Sequence, residues 1–394
     1  MKITAIRATP VNIPLDAPFF WSVGLYPGTT KVVVEVETDE GLVGLGESPS
    51  PDCAARINNV LAPKLIGMNA LDMETCERKC VQETRVVRLT DDASFKSWGG
   101  IEMALWDLRG KAWNQPLYML LGGPARKEIK FTEYFCFRPK VGKAGGEMTP
   151  KAIANYCRKM REKHGSTYFE GKLCMGDPAL EIEAVKLIRK AIGDDAMLRL
   201  DANMGWSVAT ATRILREIEP YNIRNYEDPV ATIEEMAKLR QHSSIPFSTH
   251  TLDLRLAVRL GVPDAFVLNL TILGGIARTR AFMAACQAFD VGIWCYSGEA
   301  GIGNAAYLHF IAAHQWISEP SQSIFHWQCD DVIQERYKPR NNVLHVPEGP
   351  GLGVTLDPKG FKRCADRFKN DGPLYQYHDP YEPAPGVLRR LPLN

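Results

Sequence analysis

Three polar residues stand where three successive apolar runs end, and their types suit a metal ion. Asp201 ends the run MLRLD, Glu227 ends NIRNYE, and His250 follows IPFST. The intervals of 26 and 23 residues each match one strand–helix repeat, so in a parallel α/β fold the three side chains would converge. A carboxylate after a buried strand is costly unless a cation or counter-charge meets it. The two carboxylates favour Mg²⁺, although an imidazole is softer than the ligands that Mg²⁺ prefers.

A lysine lies one repeat before these residues. Lys172 belongs to the run YFEGKLCMG, and Asp201 follows one strand–helix interval later. Near a metal ion, a lysine would have a lowered pKa and could act as a general base. A surface lysine at a strand end is the simpler alternative, and Asp201 taken alone could cap a helix.

The elements that would position these residues recur along the chain. Seven apolar runs alternate with amphipathic stretches, and an eighth is plausible at 323–327. The runs cover residues 131–136, 168–174, 197–201, 223–227, 246–249, 265–270 and 291–296. Spacing of this kind predicts a (β/α)₈ barrel, whose chemistry lies at the carboxyl ends of the strands. An open doubly wound sheet is the rival, but no GxGxxG follows the first strand.

The part of the chain before the barrel has a different pattern. Residues 31–37 and 42–47 alternate apolar and polar side chains around the turn sequence TDEG, which predicts a β-hairpin. Residues 56–111 have helical spacing, so we expect a small α+β domain. The aromatic, Gly/Pro-rich segment 18–30, with Trp21 and Tyr26, suits a mobile lid over the barrel mouth.

Composition narrows the class of protein. The chain has 394 residues, a net charge of +1, 45% hydrophobic and 24% charged residues, as in ordinary globular proteins. We therefore expect no nucleic-acid or membrane partner. No apolar run reaches about 18 residues, and the N-terminus has no secretory pattern. The ten cysteines include no CxxC pair, which favours a reducing cytoplasm.

Two long segments resemble a known family. GGIEMALWDLRGKAWNQPLYMLLGG at 99–123 and PEGPGLGVTLD at 347–357 are similar to signatures of the enolase superfamily, on its mandelate racemase and glucarate dehydratase side. The resemblance covers nearly the whole chain. It implies an α+β capping domain (1–125), a modified (β/α)₈ barrel (126–330) and a C-terminal segment (331–394) that returns to the capping domain. It also implies a homo-oligomer, either a dimer or an octamer.

The resemblance further implies a reaction and a metal site. The family abstracts a proton α to a carboxylate, and Mg²⁺ stabilises the enediolate; Mn²⁺ or another divalent cation is an alternative. Its three metal ligands fall on Asp201, Glu227 and His250, where the third is normally an oxygen ligand. The family's Lys-x-Lys aligns with Lys172 and Cys174, which leaves cysteine in the base position. A slip of two residues would place Lys172 there instead.

The opposite face of the site also departs from the family pattern. The family uses a histidine on the seventh strand, held by an aspartate on the sixth. Here the seventh strand offers Tyr296 and Glu299, and Asn269 stands where the aspartate would be. The His–Asp dyad is therefore missing from this sequence.

These departures leave several readings open. We favour an acid-sugar dehydratase, in which Lys172 or Tyr296 removes the α-proton and Glu299 is a weaker candidate. A tyrosine, whose ordinary pKa is about 10, would need a nearby positive charge to do so. A racemase or epimerase needs a competent group on each face and is less favoured. A non-catalytic member that binds a ligand or partner is the main alternative, and Cys174 as nucleophile or base is a third.

The substrate can be predicted only as a class. A small carboxylate such as a sugar acid fits the family chemistry. The residues that we expect to contact it, from their place on the lid or strand ends, are Asn203, Trp21, Tyr26 and His326.

Overall fold

The chain begins with a three-stranded antiparallel sheet. The computed structural model describes residues 1–22, 24–81, 92–174, 177–296 and 299–374. Strands β1 (Ile3–Trp21), β2 (Gly24–Thr38) and β3 (Val43–Ser48) are neighbours in that order, and the predicted hairpin of β2 and β3 is confirmed. Within segment 18–30, expected as a lid rather than an element, residues 18–21 belong to β1 and residues 24–30 to β2, and Phe19 pairs with Tyr26 beyond an irregularity in the register.

Helices cover one face of this sheet, as the helical spacing of residues 56–111 predicts. They are α1 (Asp52–Arg56), α2 (Ala62–Leu65), α3 (Met73–Cys80), α4 (Asp92–Ala112) and the short α5 (Leu117–Leu120), with a π-helical turn at Ile57–Leu61. Val32, Val34 and Val36 alternate along β2 and pack with Leu105 and Leu108 of α4. Burial of these side chains joins the helices to the sheet.

The second sheet is parallel and curled. Its seven strands are neighbours in chain order, and they confirm the seven runs predicted from the sequence. They are β5 (Glu133–Cys136), β6 (Tyr168–Lys172), β7 (Met197–Asp201), β8 (Asn225–Glu227), β9 (Phe247–Thr249), β10 (Ala265–Leu268) and β11 (Gly292–Cys295). Short β4 (Glu128–Lys130) precedes them.

Helices follow each of these strands. They are α6 (Pro150–His164), α7 (Pro178–Ile192), α8 (Val208–Ile218), α9 (Ile233–Arg240), α10 (Leu254–Leu260), α11 (Ile276–Ala288) and α12 (Gly301–Ala313). A 3-10 turn, Glu219–Tyr221, follows α8. Ser207 caps α8 by accepting from the Thr210 backbone N–H, and Gly193 ends α7.

Two residues close the barrel at the eighth position. The Gln322 N–H donates to Cys295 O at 3.0 Å, and the Thr132 N–H donates to Ser321 O at 2.9 Å. Ser321 and Gln322 thus occupy the eighth position, just before the predicted run 323–327. Gln322 hydrogen-bonds to the end of β11, and Ser321 hydrogen-bonds to Thr132, the residue before β5. From 323 the chain runs without a helix to β12 (Val343–His345), which pairs with β4. A modified (β/α)₈ barrel is therefore the architecture of this part of the chain.

The C-terminal helix returns to the first sheet. Helix α13 (Pro358–Asp371) leads to Gly372, whose carbonyl accepts from Asn12 Nδ2 at 2.7 Å. The Leu374 N–H donates to Thr30 Oγ1 at 2.9 Å. The domain boundaries at 125 and 330 stay predictions, and residues 379–394, expected to pack over the surface or a neighbouring subunit, lie outside the described residues.

Two carboxylates of the GGIEMALWD segment tie the two parts of the chain together. Glu102 accepts the backbone N–H groups of Ile276 and Ala277 at 2.8 and 2.9 Å, at the start of α11. Asp107 accepts the N–H of Leu352 at 2.7 Å, in the second signature segment. The first of the two segments that carry the family resemblance therefore contacts the second through Asp107, and it contacts the barrel through Glu102.

Gly351 fits this junction only without a side chain. Its φ is +68°, and a Cβ there would lie 2.0 Å from Asp107 Oδ1. We expect Gly351→Ala to lower the free energy of unfolding by about 2–4 kcal/mol, from left-handed strain plus overpacking. Urea denaturation measures the loss, with Gly41→Ala as the control, because Gly41 has φ +79° but no atom near its missing Cβ. Equal losses in both variants would contradict the overpacking argument.

Among the described residues, the helices include no membrane span and the cysteines form no disulfide. None of these helices combines the length and hydrophobicity needed to cross a bilayer. All ten cysteines are free, and Cys329 is the exposed one among them.

Candidate metal centre at the barrel mouth

Strand alternation places two layers of polar side chains inside the barrel. Residues two apart on a strand face the same way, so β6, β7 and β8 each send two side chains inward. The lower layer holds Glu170, Arg199 and Asn225, and the upper layer holds Lys172, Asp201 and Glu227. In the lower layer Arg199 pairs with Glu170 at 2.7 Å, and both side chains are 1% exposed. The lower layer is thus internally neutral and supports the upper one.

The upper layer brings the predicted metal ligands together. Asp201 and Glu227 are register partners on adjacent strands. Lys172 forms an ion pair with Asp201. Past the end of β9, His250 Nε2 lies 3.0 Å from Glu227 Oε1. The spacing argument therefore predicts this convergence correctly, while metal ligation by these residues stays a prediction.

Two buried carboxylate oxygens at the barrel mouth lack an aligned hydrogen-bond donor among the described residues. Glu227 Oε2 accepts from Gln322 Nε2 at 2.6 Å, but its Oε1 has no aligned donor, despite the proximity of His250. Asp228 accepts from Thr249 at 2.6 Å through Oδ1, and its Oδ2 has none. Buried, unpartnered oxygens fit the donor set of a divalent cation.

Asp228 is a candidate ligand that the sequence reasoning missed. Glu227, Asp228 and His250 place one ligand atom each within 4.8 Å of one another. The adjacent acidic pair in NYEDP was a visible signal, but strand alternation argues that neighbours face opposite ways. Asp228 instead has φ +41°, which takes it out of the strand conformation.

The pKa values of Glu227, Asp228 and Lys172 are shifted because these buried charged groups lie close together. Burial, and then Asp201, raise the pKa of Glu227 well above its usual range. Burial raises the pKa of Asp228 to about 7, although His250 opposes the shift. For Lys172, burial alone would lower the pKa, but Asp201 and Glu227 together outweigh it and raise the pKa. The lowered pKa expected of Lys172 beside a metal ion stays a prediction.

Cys174 lies just beyond the end of β6. It is 1% exposed, and burial raises the pKa of its thiol well above the usual range, although Lys172 pulls the other way. The role of Cys174 as nucleophile or base beside a metal ion stays a prediction. The functional group that reaches Asp201 from this strand is that of Lys172.

Tyr296 lies on the opposite side of the mouth, after β11. Its ring is edge-on to the His250 ring, with centroids 5.7 Å apart. Lys31 Nζ, from β2 of the first sheet, lies 5.9 Å from the Tyr296 ring centroid. The positive charge that a tyrosine base would need is therefore present, and it comes from a residue that sequence reasoning missed.

Glu299 and Asn269 belong to a buried polar cluster beneath Tyr296. Glu299 contacts Lys31 Nζ and Asn269 Nδ2, each at 2.5 Å, and accepts from Tyr307 Oη at 3.3 Å. Glu47 of β3 lies beside this cluster and accepts two backbone N–H groups at the start of α12, each at 2.8 Å. Because its oxygens already have these partners, Glu299 is better placed to hold Lys31 than to remove a proton.

The predicted substrate contacts divide into two groups. Asn203, two residues after Asp201, accepts from Ser22 Oγ at 2.9 Å, so the β1–β2 hairpin reaches the barrel mouth. Trp21 lies at that end of the hairpin, with its ring 5.7 Å from that of Tyr26. Tyr26 is 8% exposed and stacks on Phe19, with ring centroids 4.9 Å apart, and its contact with a substrate stays a prediction.

His326 is not brought to the mouth. Its Nε2 lies 3.6 Å from Glu133 Oε2, and its ring stacks on that of His164. Tyr134 faces the barrel interior, where its hydroxyl approaches Asp201 at 3.5 Å, so neighbouring Glu133 faces outward. The sequence position of His326, near the eighth strand, did not reveal which side of the wall it occupies.

Comparison with known proteins agrees with this architecture. Residues 3–122 match the mandelate racemase / muconate lactonizing enzyme N-terminal domain, and residues 152–360 match the enolase C-terminal domain-like family. The chain therefore belongs to the mandelate racemase / muconate lactonizing enzyme family of the enolase superfamily.

Individual relatives span the length of the chain. The probable glucarate dehydratase of Streptomyces coelicolor is 27% identical over 99% of both chains. A solved enolase from the same organism is 32% identical, covers 95% of this chain and 100% of its own, and has a TM-score of 0.87. An enolase of Pseudomonas fluorescens, solved with magnesium, potassium and tartrate, shares the fold at 24% identity and a TM-score of 0.86, over 98% and 95% of the chains.

The relatives do not agree on one reaction. Others at 27–31% identity are a chloromuconate cycloisomerase, an N-succinyl-L-Arg/Lys racemase and a D-Ala-D/L-Ala epimerase. Family membership therefore leaves the particular chemistry to be argued from the site.

Proposed function

We propose that this chain is a metal-dependent dehydratase of a small hydroxy acid, of the sugar-acid class. The observation that carries the proposal is the convergence of Asp201, Glu227 and His250 at the barrel mouth, where Glu227 Oε1 is buried, lies beside His250 and has no aligned hydrogen-bond donor. Asp228 adds a second unpartnered oxygen within reach of the same point. These residues would hold Mg²⁺, with Mn²⁺ as the alternative.

The reaction consists of one proton abstraction and one elimination. A bound cation would stabilise the negative charge that develops on the substrate carboxylate when the α-proton leaves. The electron pair of the Cα–H bond forms the double bond, the bond from Cβ to its hydroxyl breaks, and the hydroxyl leaves as water with one proton. The enol product then becomes a 2-keto-3-deoxy acid.

Two residues that flank the mouth are the candidates for the two proton transfers of the reaction. Lys172, beside Asp201, supplies a positive charge on one side. Tyr296, beside His250 and Lys31, lies on the other. Either Lys172 or Tyr296 is the base, and the other would assist the leaving hydroxyl or hold the substrate carboxylate.

A panel of sugar acids tests the proposal. We expect at least one aldonate or aldarate to yield a 2-keto-3-deoxy product, detected as its semicarbazone, with Mg²⁺ present and not after chelation. Exchange of the α-proton in D₂O assigns the base: its variant, Lys172→Met or Tyr296→Phe, loses exchange and elimination together. The other variant retains exchange. Inversion at Cα without water loss would point to an epimerase instead.

The structure also offers an argument for a non-catalytic member. Lys172 pairs with Asp201, and His250 lies beside Glu227, so each buried carboxylate has a basic neighbour from the chain itself. A ligand-binding protein could use this arrangement without a cation. Failure of the chain to bind Mg²⁺ or Mn²⁺ in calorimetry would favour that function and overturn the dehydratase.

A further inference from the structure

A second cluster of metal-ligating side chains lies outside the barrel wall. Glu133 of β5 is 3% exposed and faces outward, toward the last residue of α6, His164, and toward His326. Its Oε2 lies 3.2 Å from His164 Nδ1 and 3.6 Å from His326 Nε2. The three ligand atoms lie within 4.8 Å of one another. None of these residues takes part in the site at the barrel mouth.

The separations match the needs of a tetrahedral ion. Two ligands that are each about 2.1 Å from zinc lie about 3.4 Å apart at the tetrahedral angle. The two measured separations from Glu133 Oε2, 3.2 and 3.6 Å, fall on either side of this value. The imidazole planes are 17° apart with centroids 4.1 Å apart, so a shared ion requires one ring to turn about its Cβ–Cγ bond. That torsion is broad for histidine.

Neighbouring hydroxyls fix the carboxylate. Ser166 Oγ donates to Glu133 Oε2 at 2.9 Å, and Tyr156 Oη donates to Oε1 at 3.2 Å. Hydrogen bonds of this kind orient a metal ligand before the ion arrives. Glu133 is therefore held in place while the two histidines keep some freedom.

The surroundings select the kind of ion. Both histidines line an open groove of about 1260 Å³, which leaves a fourth position for water. Lys163 and Lys338 line the same groove. The lysines repel either divalent cation, so the ligands decide between them: imidazole suits Zn²⁺, whereas Mg²⁺ prefers oxygen ligands.

We propose that Glu133, His164 and His326 form a zinc site with one open position, separate from the barrel mouth. The ion would join β5, α6 and the helix-free stretch after Ser323. In that stretch a barrel would ordinarily carry its eighth helix. The site would thus fasten a part of the chain that regular barrel packing does not hold.

Zinc titration of the full chain tests this site. Chelator-treated protein is given saturating Mg²⁺ and titrated with Zn²⁺ by calorimetry, and Co²⁺ absorption reports the coordination. We expect one Zn²⁺ to bind at least about tenfold more tightly to the wild type than to His164→Asn or His326→Asn, since each variant loses one of three ligands. His345→Asn is the matched control, because His345 is exposed on β12.

The outcome is independent of any enzymatic activity. We expect zinc to raise the melting temperature of the wild type and His345→Asn, but not of the two groove variants. Mg²⁺ binding should be the same in all four proteins. Equal zinc affinity in the wild type and His164→Asn, or no zinc binding at all, would overturn the proposal. Since no readout uses a substrate, a chain without dehydratase activity would still give a decisive result.

Discussion

Replacing Asp201 by asparagine should abolish tight Mg²⁺ binding and lower turnover of a hydroxy-acid substrate at least about 10³-fold. The variant removes one of the charged candidate ligands and leaves Lys172 without its ion-pair partner. Loss of charge stabilisation worth about 4 kcal/mol in the transition state corresponds to that factor. Calorimetric titration of chelator-stripped protein measures the binding, and product formation in the sugar-acid assay measures the rate.

The matched control for this change is Asp195→Asn. Asp195 has a 66% exposed side chain that pairs with Arg161, and it lies in the turn before β7, at the other end of that strand from Asp201. We expect its variant to bind Mg²⁺ as the wild type does. Unchanged Mg²⁺ affinity in Asp201→Asn would show that the metal ligands lie elsewhere.

Lys31→Met should be the most destabilising single change at the junction of the two sheets. It leaves Glu299 buried without its cation, beside Glu47, whose pKa burial and Glu299 already raise well above its usual range. Breaking a buried pair in this way costs about 3–5 kcal/mol of unfolding free energy. Urea denaturation followed by circular dichroism measures the loss.

Two comparisons make this prediction specific. Lys127→Met removes a lysine from an exposed ion pair with Glu348 and should cost less than about 1 kcal/mol. Adding Glu299→Gln to Lys31→Met should recover part of the lost stability, because the uncompensated charge is removed. A Lys31→Met variant as stable as Lys127→Met would mean that the buried pair contributes little.

Much of the barrel and of its mouth follows from spacing alone. Asp201, Glu227 and His250 each end or follow an apolar run, and one strand–helix repeat separates them, so their convergence needs no knowledge of packing. The eighth position was displaced because Ser321 and Gln322 form no apolar run and owe their place to backbone hydrogen bonds.

Other features depend on contacts that leave no local pattern. Lys31 and Glu299 lie far apart in the sequence, and the packing of the first sheet against the barrel brings them into contact. His326 lies outside the barrel wall, where it contacts the outward-facing side chain of Glu133. Segment 18–30 resembled a lid by composition, but backbone pairing across the hairpin overrides that composition.

The hydrogen bond from Ser22 to Asn203 has an evolutionary consequence. Asn203 accepts from the hairpin through its side chain, and its own N–H donates to Asp201 Oδ1 at 2.6 Å. One residue thus faces both the first sheet and the proposed metal centre. Sequence drift in the hairpin can remodel what enters the mouth while the strands beneath remain as they are. Under the proposed function, selectivity and chemistry would then lie on separate stretches of chain, so that one can diversify while the other is retained.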